Sequence, residues 1–169
     1  TAISFVRGPE GAADITRRIQ GFLRVPSVVT SMAVVHAAHA LGVRSVGVVS
    51  VYLDEINATM PAFFDPQGVR IARIQGLAGH VMSTAETSLE LAHVSPDDLI
   101  SAGRAVDGPD VDAVFIPCTA VRTLDAIEPL EAAIGKPAIT AIDATMWRVA
   151  RLAGLTHDAP GGGRLFETA

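Results

Sequence analysis

Residues 111–119, Val111-Asp112-Ala113-Val114-Phe115-Ile116-Pro117-Cys118-Thr119, decide the fold. An apolar run of this length, closed by a proline and passing straight into polar residues, is the pattern of a strand buried on both faces. Such strands belong to parallel sheets covered by helices, and those sheets gather their chemistry where the strands end. Residues 43–50 (VRSVGVVS) repeat the layout just before Tyr52. Residues 69–74 (VRIARI) mix apolar and charged side chains as an edge or half-buried strand does, and 136–141 (KPAITA) form a further short strand. Between these blocks lie helical patterns over 54–64, from the end of the 111–117 strand through Thr123 and Leu124 to near Gly135, and over 142–152 with Trp147 on the apolar side. Ser95-Pro96-Asp97-Asp98 marks a helix start, with a cap, a first-turn proline and two acids facing the positive end of the dipole.

Towards the amino end, 11–23 reads as a helix, 26–30 as a short strand and 31–41 as a helix closed by Gly42. Thr1–Phe5 reads as the end of a strand entering a loop, and without an initiator Met the expectation is that residues precede it. The tail around Gly161-Gly162-Gly163 reads as loop. Alternating strands and helices predict an α/β fold with a mainly parallel sheet.

Composition narrows the function. A chain of 169 residues buries a sufficient core without disulfide or metal, so its single cysteine has no structural task imposed on it. No apolar run reaches the roughly 18–20 residues that span a bilayer. A net charge of -5, with no basic stripe, speaks against nucleic acid as a partner. One unpaired cysteine and no visible signal peptide point to a reducing cytoplasm.

Cys118 stands at a strand end, where backbone N–H groups and a helix start favour a reactive thiol; the alternative is an inert, buried small residue. Tyr52 holds the equivalent place in the earlier unit, as a hydrogen-bond donor or as a packing residue. Thr1 and Ser4 offer hydroxyls, or loop caps. His36 and His39 lie on one helix without a third ligand, and His80, His93 and His157 are isolated, so no metal site is predicted. No Gly-x-Ser-x-Gly elbow and no nucleotide fingerprint is present. Arg122 is either a carboxylate clamp or a surface cation, and Asp143 reads best as the cap of the helix through Trp147.

Four stretches then carry a likeness: Thr1 to Gly8, Val49 to Asn57, Cys118-Thr119-Ala120-Val121-Arg122-Thr123-Leu124-Asp125, and Trp147 to Gly154 with Gly163 to Phe166. Together they resemble the maleate cis–trans isomerase and arylmalonate decarboxylase branch of the aspartate/glutamate racemase superfamily. The resemblance implies two pseudo-symmetric α/β lobes with the active site in the cleft between them. Residues 43–135 would form the middle lobe, and 1–42 with 136–169 parts of the terminal lobe, whose first strand and first active-site loop would precede Thr1. It implies Cys118 as the catalytic thiol, with Thr1, Ala2, Tyr52 and the backbone N–H of Thr119 binding a substrate carboxylate, and no metal or organic cofactor. The expected activity is that of a cofactor-independent isomerase or racemase on a small carboxylic acid, most like maleate to fumarate conversion. An arylmalonate-type decarboxylase with Cys118 as sole proton donor, or a non-catalytic small-acid binder, are the alternatives, and a homo-oligomer is a family-based expectation. The chain departs from the family's pattern in Gly76–Met82, at Ala2 and at Ala141-Ile142-Asp143.

Overall fold

The computed structural model describes residues 1–77, 90–156 and 159–168. Four strands, β1 (Ser45–Ser50), β2 (Arg70–Gly76), β3 (Ala113–Ile116) and β4 (Ala138–Thr140), form one parallel sheet in the order β2-β1-β3-β4. β1, β3 and β4 are buried along their whole length, as their unbroken apolar runs require. β2 is an edge with exposed and half-exposed positions, and its Arg70 and Arg73 reach across to Ser45 and to the carbonyls and carboxylate of the 107–110 turn. No helix among the described residues is long and apolar enough to cross a membrane.

Nine α-helices lie among the described residues: α1 (Ala2–Phe5), α2 (Gly8–Leu23), α3 (Thr30–Ala40), α4 (Asp54–Asn57), α5 (Met60–Phe64), α6 (Pro96–Val106), α7 (Leu124–Ile134), α8 (Ala141–Leu152) and α9 (Gly163–Phe166), with short 3-10 turns at Asp65–Gln67 and Leu91–His93. α6 starts as its sequence predicts, the Ser95 hydroxyl accepting from the Asp98 N–H at 3.1 Å. α3 is followed by Gly42 at φ +70° and α7 is closed by Gly135 at φ +72°. The pattern over 54–64 breaks into two short helices because Pro61 lacks an N–H and its ring would meet the carbonyl of Asn57.

Four expectations are corrected. Thr1–Phe5 is not a strand end: Ala2–Phe5 is one helical turn, held because Phe5, 1% exposed, wedges between Tyr52 and Phe64 at centroid distances of 6.0 and 6.1 Å. Residues 26–30 make no strand, since a strand needs a partner and none of the described residues pairs there; Val29 is extended and Thr30 already opens α3. The glycine-rich tail is not all loop. Buried Glu131 accepts from the Ala138 N–H at 2.9 Å with one oxygen and from the Arg164 N–H at 3.0 Å with the other, pinning α9 to α7 and β4. Gly163, at φ +61°, allows that approach, because a Cβ there would lie 2.7 Å from the Glu131 carboxylate. The fourth, at Asp143, belongs to the site.

α3 packs along α8, which brings the two ends of the chain together. β4 pairs with β3 in the same sheet as 43–135, although the sequence-based division placed residue 136 onward with the ends.

β1 also meets α6 at close range: a Cβ on Gly47 would run into the Val106 carbonyl, which is backbone and cannot swing away. Gly47→Ala is therefore expected to destabilise by about 1–3 kcal/mol in chemical denaturation. Gly76→Ala, with nothing among the described residues within 4 Å of the new methyl, should stay within about 0.5 kcal/mol of the parent.

Candidate active site

The chain winds from β1 outward to β2, then returns past β1 to β3 and on to β4. The direction of winding reverses between β1 and β3, and in open parallel sheets ligands bind beyond the carboxyl ends at such a reversal. Tyr52 lies just past the last residue of β1 and Cys118 just past that of β3, so the two positions singled out in the sequence flank this point. Both are buried, at 3% and 5% exposure.

Local structure fixes Tyr52. Its backbone N–H donates to the Ser50 hydroxyl at 3.0 Å, its carbonyl accepts from the Asn57 amide at 3.1 Å, and the Ser50 hydroxyl donates to Asn57 at 2.5 Å. Phe5 stacks at a tilt against its ring. The phenol lies beside the side chains of Thr1 and Cys118 and the Ala2 backbone. Burial pushes its pKa well above 10, and a negative charge on Cys118 would push it further. Tyr52 therefore stays protonated and donates at any physiological pH.

Cys118 has φ +79°, in the left-handed region that favours glycine. A β-carbon there is strained, and such strain persists where the surroundings over-determine the backbone, which is commonest at functional positions. The Cys118 N–H donates to the Thr1 hydroxyl at 3.3 Å, joining the first residue to the strand end. Thr1, Ala2, Tyr52 and Cys118 thus converge. Thr119 is exposed on the following turn, and the helix expected at Cys118 begins only at Leu124. Ser4 is structural: its hydroxyl donates to the Thr1 carbonyl at 2.8 Å and accepts from the Ser31 N–H at 3.2 Å.

One strand over, Asp143 is not the cap of α8. Thr140 is, accepting from the Asp143 N–H at 3.2 Å, while Asp143 Oδ2 accepts from the hydroxyls of Thr140 and, at 3.4 Å, Thr123. Threonine one turn earlier wins because it has the extended backbone a cap needs. Burial raises the Asp143 pKa above 3.8, against the pull of its hydrogen bonds. A cavity of about 690 Å³ opens here, lined by Arg122, Thr123 and Asp143 and by apolar Leu124, Met146 and Phe166; Cys118 and Tyr52 are not among its walls. The cavity and the strained thiol at the topological reversal are therefore separate features of the structure.

His39 Nε2 meets the Gln67 carbonyl at 2.8 Å, and His36 faces Arg148 with its pKa lowered, first by burial and then by that charge and by His39. Among the described residues no group of three or more His, Cys, Asp or Glu is arranged to hold a metal. His80, His157 and positions 78–82 lie outside the described residues. The supporting roles of Ser50, Asn57 and Phe5 were not read from the sequence. Ser50 and Asn57 carried a signal, polar residues around a strand-to-helix turn, but Phe5 shows only when α1 meets the sheet.

The family model for arylmalonate decarboxylase matches residues 1–166. The chain is 32% identical to an arylmalonate decarboxylase from Bordetella bronchiseptica over 99% of its own length and 68% of that protein's. It is 26% identical to a maleate isomerase from Pseudomonas putida over 85% of its length, spanning 56% of that relative. A crystal structure of arylmalonate decarboxylase superposes with a TM-score of 0.87 at 30% identity, covering 98% of this chain and 72% of the other.

Strain at Cys118 gives a measurable consequence: Cys118→Gly should unfold with about 1 kcal/mol more stability than Cys118→Ala, although alanine fills more space. Asp143 gives a second. A carboxyl raised in the folded state contributes stability that is full below 3.8 and is lost as pH rises through its folded value. The stability of Asp143→Asn relative to the parent should accordingly shift in the variant's favour between pH 3 and pH 7, read from denaturation midpoints. A pH-independent difference would contradict the raised carboxyl.

Proposed function

We propose what this site does from one premise: the chain belongs to the arylmalonate decarboxylase family. The reading is proton transfer at a carbon beside a carboxylate, with Cys118 as the acid. The observation that carries it is the convergence of a buried, strained thiol, a permanently protonated phenol and the Thr1 hydroxyl at the β1/β3 reversal. In the reaction we favour, Tyr52, Thr1 and the backbone N–H groups of Ala2 and Thr119 hold one carboxylate of a substituted malonate. The bond to the second carboxylate breaks, carbon dioxide leaves, and the bonding pair becomes an enediolate on the retained carboxylate. Cys118 gives its proton to the carbon, and its thiolate regains one from water. Each donor aimed at the developing charge contributes about 3 kcal/mol of barrier lowering. One thiol suffices, and a reducing compartment keeps it free.

A second reading, maleate to fumarate isomerisation, is supported by the Cys118 to Asp125 loop and by the maleate isomerase relative. There the Cys118 thiolate would add to an alkene carbon, the central bond would rotate and the thiolate would leave again.

The full-length protein assayed on phenylmalonate and on maleate separates them. Release of carbon dioxide from phenylmalonate is expected, abolished in Cys118→Ala and reduced about a hundredfold in kcat/KM in Tyr52→Phe. Fumarate formed from maleate, without decarboxylation, would install the second reading. Turnover that survives Cys118→Ala would sink both.

A further inference from the structure

We propose that Asp143 is a positioning residue for Cys118: through Thr123 it anchors the far end of the segment 117–123 that carries the thiol. This segment leaves β3 at Ile116 and enters α7 at Leu124. At its start the Cys118 N–H is held by the Thr1 hydroxyl. Its end is held at Thr123, 2% exposed, whose hydroxyl lies 3.2 Å from Thr140 Oγ1 and 3.4 Å from Asp143 Oδ2.

Two features make this more than helix capping. Thr123 occupies the N-cap position of α7, yet its side chain makes no cap bond to that helix. It turns instead across to β4 and α8, to a carboxylate 7% exposed and a threonine wholly buried. A single carboxylate oxygen therefore accepts from two hydroxyls belonging to separate parts of the chain. Ties at both ends are the kind of over-determination that a left-handed cysteine requires.

The inference rests on Cys118 being the reactive group, but its test does not depend on turnover. The rate at which iodoacetamide alkylates Cys118, followed by mass spectrometry of the peptide that contains it, reads how firmly the segment is held. Asp143→Ala and the near-isosteric Thr123→Val should raise that rate about three- to tenfold, the effect of removing a buried hydrogen bond of ordinary net strength. Asp143→Asn and Thr123→Ser, which keep an acceptor and a hydroxyl, should stay within about twofold of the parent. On a turned-over substrate, the first two should lower kcat more than they raise KM. A folded Thr123→Val with the parent's alkylation rate overturns the proposal, and so does loss of folding in both Thr123→Val and Asp143→Ala, which would make the cluster a pin of the core. Should the alkylation pattern appear in a protein with no turnover on either acid, the catalytic reading falls and the anchoring stands.

Discussion

Parallel pairing of β1 with β3, in a register that sets Val46 against Ala113 and Val48 against Phe115, governs where everything else can go. Parallel neighbours end on the same edge, so residues far apart in the chain emerge side by side at one rim. Because β2 and β4 then add on opposite sides, the winding reverses at that rim between the central pair. The core keeps the pair in place: Phe64, packed against Phe115 at 5.7 Å and against Phe5 at 6.1 Å, links α5, β3 and α1. The same cluster that seals the sheet therefore sets the Tyr52 ring and carries Thr1 to Cys118.

Two buried carboxylates finish the architecture in different ways. Glu131 spends both oxygens on backbone N–H groups, at the start of β4 and the start of α9, and so acts as a joint between elements. Asp143 takes side-chain hydroxyls instead, and those hydroxyls belong to the end of β4 and to the segment that follows Cys118. Burial raises the pKa of both, which is the energetic cost of placing an acid where two elements must be joined.

Sequence periodicity made the sheet legible because β1, β3 and β4 are buried on both faces and β2 on part of one, which leaves an imprint in residue type. Cys118 and Tyr52 were legible for the same reason, as the first chemically capable residues beyond apolar runs. What periodicity does not encode is partnership. Residues 26–30 have strand-like composition but lie where no described strand pairs, and Thr1–Phe5 becomes helical through contacts of Phe5 with residues some fifty and sixty positions away. The Thr140 and Asp143 exchange of roles turns on the extended backbone of Thr140. Nor does any residue type announce the φ of Cys118, which only the closed loop imposes.

That dihedral also bears on how the chain drifts under mutation. At an ordinary position a cysteine is neutral to folding, and its presence says little about use. At φ +79° glycine is the residue that the backbone alone would choose, so substitution to glycine there meets no backbone resistance on the way out of cysteine. The thiol sits uphill in the landscape of foldability, and a lineage released from the need for it would lose it early and gain stability by doing so. Retention of Cys118 among descendants of this chain is thus a gauge of whether the thiol is used.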